Sequence, residues 1–194
     1  VTLWAREDGP RRAHRAGVAV LLVMALAQSF SSPLLHDWMT GERDRIWWPM
    51  QTEFPLARLR RAAARVEALR AATGDTGDLL LTQDTYLAVE TGLRVPAGLE
   101  LGPFSCFPGL SREQAVRFGV MTPAMLEELV ATAPAGVAAF SGYGFAIAAP
   151  SITELPVDAQ ARLWAILHEQ YREVERIEGF GQAATPLRLF VRQP

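Results

Sequence analysis

Chemistry in this chain is most readily sought where a carboxylate falls between an apolar run and a helix-forming stretch. Gln83-Asp84-Thr85 follows the short apolar run 79–82, read as a buried strand, and opens a helix over 86–91 closed by Gly92. Asp84 is therefore expected at the carboxyl edge of a strand, where ligands of α/β sheets tend to bind and helix N-termini offer free N–H groups. A plain N-cap is the simpler role for Asp84, and the sequence leaves both open. Glu90 and Glu100 bracket a loop rich in glycine and proline, and two carboxylates are what sugar chemistry needs for acid and base. Glu90 lies late in a short helix, where a carboxylate opposes the helix dipole, so it is placed for a contact. A salt bridge to Arg94 or another arginine is the simpler account. Tyr143, in the turn Ser141-Gly-Tyr-Gly144, and Gln182, after Gly179-Phe-Gly181, are expected to reach the same edge. The candidate ligand set is thus Gln83, Asp84, Glu90, Glu100, Tyr143 and Gln182.

Other constellations carry less. Cys106, His168 and an acid such as Asp84 are the residue types of a thiol-hydrolase triad. Cys106, however, sits between Phe104 and Phe107, which reads as packing. The Ser141 turn lacks the G-x-S-x-G form of a hydrolase elbow, because Phe140 precedes the serine. It has neither the spacing nor the lysine of a phosphate loop. His14, His36 and His168 are scattered, so no metal site and no cofactor is expected. No catalytic residue is assigned. Arg58, Arg61 and Arg65 share one stripe of a predicted helix and would suit lipid headgroups, with a solvated face as the plainer reading.

Composition narrows the classes. The 194 residues are 49% hydrophobic and 21% charged, enough for one packed domain with an appendage. The net charge is −2, with all 19 cations arginine, which argues against a nucleic-acid partner. A single cysteine excludes an internal disulfide framework.

Residues 16–35 carry no charge, and 18–27 are wholly apolar. At about 1.5 Å per residue the uncharged stretch reaches the roughly 30 Å of a bilayer core. A transmembrane helix is expected there, with the basic flank 1–15 (Arg11, Arg12, Arg15) in the cytoplasm and residues after Leu35 on the periplasmic side of the inner membrane. Trp38, Trp47 and Trp48 follow as interfacial anchors. Ala25-Leu-Ala27 also has the form of a signal-peptidase site, so a cleaved leader stands beside the span. A buried helix of a soluble protein is the third reading. The start at Val1 fits a truncated chain or a GUG codon written literally.

Residues 36–73 read as a juxtamembrane connector followed by a helix from Pro55 to Gly74, with Leu56, Leu59, Ala63, Val66 and Leu69 on its apolar stripe. Residues 74–194 read as a small layered α/β domain with a short mixed sheet. Its further elements are a capped helix after Ser111, a helix opening at Thr122-Pro123, a strand over 137–140 and a long helix over 156–175. Strands around 174–177 and 187–191 complete the pattern.

Three stretches carry a resemblance: 79–111 (LLLTQDTYLAVETGLRVPAGLELGPFSCFPGLS), 140–147 (FSGYGFAI) and 169–192 (EQYREVERIEGFGQAATPLRLFVR). Together they resemble the extracytoplasmic tail of bacterial membrane glycosyltransferases of the GT-C type, the superfamily of protein mannosyltransferases and aminoarabinose transferases. The resemblance is one of pattern, without a diagnostic motif, and covers about residues 16–194. It implies an accessory domain, inactive by itself, within a polytopic enzyme that transfers a sugar from a polyprenyl-phosphate donor. The implied partners are membrane lipid, the rest of that enzyme and the polyprenyl-phosphate sugar. The family's catalytic acids lie in an early loop with no counterpart here. A secreted or anchored ligand-binding module unrelated to glycosyl transfer is the alternative, and a small Cys hydrolase the remoter one.

Overall fold

The computed structural model describes residues 8–30, 55–142, 145, 155–181 and 185–194. The chain divides into two compact units, Val1–Gln51 and Thr52–Pro194. The element described in the first is α1 (Asp8–Phe30). It starts well before the span expected over 16–35 and carries Asp8, Arg11, Arg12 and Arg15 in its first half. The apolar run 18–27 then rises only about 15 Å, about half of a bilayer core. Among the described residues no helix is long and apolar enough to cross a membrane. Residues 31–35 of that expected span lie outside the described residues, as do Trp38, Trp47 and Trp48.

The second unit is built on a four-stranded sheet of β1 (Leu81–Thr82), β2 (Val137–Phe140), β3 (Tyr171–Phe180) and β4 (Thr185–Arg192), in the order β1-β2-β4-β3. β1 and β2 are parallel, and β4 is antiparallel to both β2 and β3. The expectation of a small mixed α/β sheet holds. Around it lie α2 (Pro55–Thr73), α3 (Thr85–Glu90), α4 (Arg112–Phe118), α5 (Pro123–Ala131) and α6 (Val157–Gln170).

Local chemistry sets the helix ends. Gly74, at φ 66°, takes the left-handed position that stops α2. Ser111 accepts from the Gln114 N–H while the Gln114 side chain accepts from the Ser111 N–H, the reciprocal cap read from the sequence. Thr122 caps α5 through the Met125 N–H, with Pro123 at the first helical position.

Strand alternation then divides the core. Val137 and Ala139 face one side with Leu187, Leu189, Ile177 and Phe180, against Ala62, Ala63 and Val66 of α2 and Leu87 and Ala88 of α3. Ala138 and Phe140 face the other with Phe190 and Tyr171, against Leu126 and Val130 of α5 and Leu163 and Leu167 of α6. Leu56, expected on the apolar stripe of α2, stays exposed.

The helix expected over 156–175 stops at Gln170. Tyr171 is extended (φ −132°, ψ 146°), fully buried, and donates its hydroxyl to the Ala135 carbonyl at 2.8 Å. Anchoring that ring beneath α5 and α6 requires the chain to enter the sheet here rather than continue the helix. β3 then slips register between Glu173 and Glu175. Tyr171 and Glu173 therefore lie on the α6 side, whereas Glu175 and Ile177 lie on the α2 side.

Candidate functional site

Asp84 leaves the end of β1 and is 1% exposed, the only buried acidic residue among those described. Its backbone carbonyl accepts from the Leu87 N–H at 2.8 Å, so the residue holds the N-cap position of α3. The carboxylate makes no cap hydrogen bond, which corrects the simple side-chain cap. It turns instead toward the end of β2. Oδ2 accepts from the Ser141 N–H at 3.1 Å, and Oδ1 accepts from the Ser141 hydroxyl at 2.9 Å and the Tyr86 hydroxyl at 3.0 Å. Burial pushes the Asp84 carboxyl above its ordinary range, and the three donated hydrogen bonds pull it back in part.

Tyr86 ties this group to the hairpin. Its ring stacks on Phe180 at 5.6 Å between centroids, and its hydroxyl occupies space that a Cβ on Gly181 would invade, at 2.9 Å. Beside it, Gly142 lies against Thr185 and donates its N–H to the Thr185 hydroxyl at 2.9 Å. The ends of β1, β2 and β3, the start of β4 and the first turn of α3 thus meet around one carboxylate.

Gln83 does not join it. Strand alternation sends its side chain to the opposite face, where the amide nitrogen donates to the Phe145 carbonyl at 2.7 Å. Its Oε1 is buried and accepts no hydrogen bond among the described residues. Glu90 pairs with Arg60 at 3.6 Å, the salt bridge to an arginine that its position suggested. Arg94 pairs with Asp78 instead. Glu100 accepts from the Gly98 N–H at 2.7 Å within its own turn. Tyr143 and Gln182 lie outside the described residues. Of the expected residues that are described, the edge therefore holds Asp84, joined by Ser141 and Tyr86, which sequence reasoning had not assigned to it. Gly181 carried the one available signal: a second glycine in Gly179-Phe-Gly181 leaves room for a neighbouring side chain.

The triad does not assemble. Desolvation pushes the Cys106 thiol up to about 12, the reverse of what a nucleophile requires. His168 Nε2 faces an Arg188 N–H at 3.1 Å, and Arg188 also donates to Glu173 and stacks over Trp164 at 4.4 Å. Asp84 is occupied as above. Among the described residues no group of three His, Cys, Asp or Glu could hold a metal ion.

The arginine stripe of α2 is also engaged. Arg58 donates to the Gly179 carbonyl at 2.6 Å, and Arg65 donates to both oxygens of Glu175, at 3.1 and 2.9 Å. Both bonds fasten α2 to β3. A surface depression of about 490 Å³ lies at the other end of the sheet, lined by Gly74, Asp75, Gly136 and Arg192 among others, away from Asp84.

No protein-family model, curated protein or solved structure matches the chain.

Proposed function

We propose that the chain is a non-catalytic accessory domain of a GT-C type membrane glycosyltransferase. It would sit on the extracytoplasmic side of the inner membrane and help form the acceptor side of an enzyme using a polyprenyl-phosphate sugar. One observation carries this reading. The three stretches that resemble such tails supply Asp84, Ser141 and Phe180 respectively, and these meet at one end of the sheet. A pattern of apolar residues and turns scattered over the chain has no need to converge; a single tertiary unit does.

The chemistry of that junction supports an accessory role. A general acid or base needs a lone pair or proton facing substrate, and the Asp84 carboxylate is buried and accepts from Ser141 and Tyr86. Attachment to the bilayer falls to α1, whose described side chains over 16–28 are all exposed and include Leu21 and Val23. The ligand-binding alternative draws on Gln83 Oε1, a buried acceptor that a donor group would satisfy.

Expression of the full chain in a bacterium, followed by fractionation and mass determination, tests the reading. The intact chain in the membrane fraction, released by detergent and unable to transfer sugar from a polyprenyl-phosphate donor, is the expected result. Recovery from the soluble periplasm with residues 1–27 removed would favour the binding module. Sugar transfer or hydrolysis by the isolated chain would overturn the non-catalytic assignment.

A further inference from the structure

β3 forms one margin of the sheet, and among the described residues no strand pairs with its outer edge. Arg172, Val174, Arg176 and Glu178 are exposed along it. The pairing fixes which backbone groups this edge offers. Arg192 donates its N–H to the Gly136 carbonyl at 2.9 Å, so its polar groups point to β2 rather than to β3. Tyr171, opposite Arg192, therefore turns its N–H and C=O outward, as does Glu173 two residues on. Beyond the slip, Arg176 lies opposite Arg188. Arg188 is four residues from Arg192 on a strand that meets β2 without a slip, so Arg176 again turns its polar groups outward. The side chains follow the slip as well. Three residues apart in a regular strand, Glu173 and Arg176 would face opposite sides. Here both lie on the α6 side and pair with each other at 3.6 Å.

We propose that this edge pairs with the same edge of a second copy of the chain, antiparallel, about a two-fold axis between Val174 and Glu175. In that register Glu173 of each copy lies opposite Arg176 of the other. Both residues turn their backbone groups outward, so each such pair exchanges two main-chain hydrogen bonds. Both side chains lie on the α6 side, so opposite charges meet twice across the axis. The slip of each strand falls at the axis, where the two copies share the same bend, and Val174, 39% exposed, is the apolar residue there. Arg188 takes Glu173 Oε2, while Oε1 carries only the longer contact to Arg176 among the described residues, so it is placed to accept from the second copy. Charge also fixes the register. Moving the axis onto Val174 sets Arg172 against Arg176, and moving it onto Glu175 sets that residue against its own copy. Charged side chains blunt an edge strand against unrelated strands, whereas the order of charges on β3 matches its own reverse. A two-fold pairing of this kind closes on itself and joins the two sheets into one. It is independent of the membrane attachment proposed above.

Light scattering of the full chain in detergent tests the pairing, and the mass of two copies is the expected result. Arg176→Glu sets like charges opposite each other twice and is expected to weaken the association about tenfold or more, with circular dichroism unchanged. A second measurement leaves these charges in place. Val174→Cys, beside the axis, is expected to be joined into dimers by a short bis-maleimide. Glu113→Cys, exposed on α4, is the reference and is expected to stay single. Native Cys106 is buried and does not compete for the reagent. A single-copy mass at every concentration reached overturns the proposal. So do dimers that survive Arg176→Glu, or that cross-link no better at 174 than at 113, because the association then lies elsewhere on the chain.

Discussion

Replacing Asp84 distinguishes a self-contained tie from a site awaiting a ligand. Asp84→Ala removes the acceptor of the Ser141 N–H, a donor whose position the backbone fixes at the buried end of β2. Leaving one such donor unmet costs about 1–3 kcal/mol. The Ser141 hydroxyl loses its acceptor too, whereas Tyr86, at 39% exposure, recovers a partner from water. The expected loss is about 2–4 kcal/mol. Asp84→Asn keeps the shape and removes the charge. Its amide oxygen replaces Oδ2 as acceptor of the Ser141 N–H, and its NH2 replaces Oδ1 and donates to the two hydroxyls, which turn to accept. Every group stays paired.

The pH dependence follows from the direction of the carboxyl shift. Burial raises the folded-state value above the unfolded one. Between the two the folded chain holds a proton that the unfolded chain has released, so stability falls as pH rises through this window. The loss is complete above the raised value and absent below the ordinary carboxyl range. Urea unfolding followed by circular dichroism, from about pH 4 to pH 8, should therefore show the wild type losing ground to Asp84→Asn as pH rises. At neutral pH the order of stability should be Asp84→Asn at or above wild type, and both above Asp84→Ala. If Asp84→Asn falls as far as Asp84→Ala, the negative charge itself is needed, and the tie is not self-contained.

Two further outcomes probe the packing around this end of the sheet. Gly102 and Gly119 both have positive φ, 61° and 66°, but only Gly102 has a neighbour that a Cβ would strike. Gly119→Ala should cost about 1 kcal/mol of backbone strain and Gly102→Ala at least about 2, read as urea midpoints; equal losses would contradict the close approach of the turn to β1. Cys106, with its thiol pushed up to about 12 by burial, should react with a disulfide reagent at neutral pH only as fast as the chain opens. A rapid stoichiometric reaction in native buffer would contradict the burial.

Local signals were legible because each needs only its own few residues. The reciprocal cap from Ser111 to Gln114, the Thr122-Pro123 start and the stop at Gly74 all stand as read. So do the apolar runs that became β1 and β2, since a strand buried on both faces needs no partner pattern to be recognised. The N-terminal helix was legible in part: hydropathy placed its start at residue 16, whereas it begins at Asp8. The ligand set was only partly legible. Gln83 and Asp84 are adjacent in sequence and so were grouped, but the period of two along an extended chain sends them to opposite faces.

β3 shows most clearly why the rest was hidden. Its sequence, YREVERIEGF, has the charge of a solvated helix face, and only one apolar residue stands between Tyr171 and Ile177. The register slip between Glu173 and Glu175 explains that composition: Glu173 meets Arg188 on one face and Glu175 meets Arg65 on the other. Glu175 is matched by Arg65, 110 residues away on α2, a partner that cannot be inferred locally, whereas Glu173 meets Arg188 on the neighbouring strand β4 and Arg176 in its own. A second slip, between Ile177 and Phe180, keeps Phe180 on the α2 face, where Tyr86 stacks and its hydroxyl reaches Asp84. The junction at the carboxyl edge thus depends on this second slip in an edge strand. A bulge that costs a ladder hydrogen bond is retained where it aims a side chain, and here the side chain it aims is Phe180.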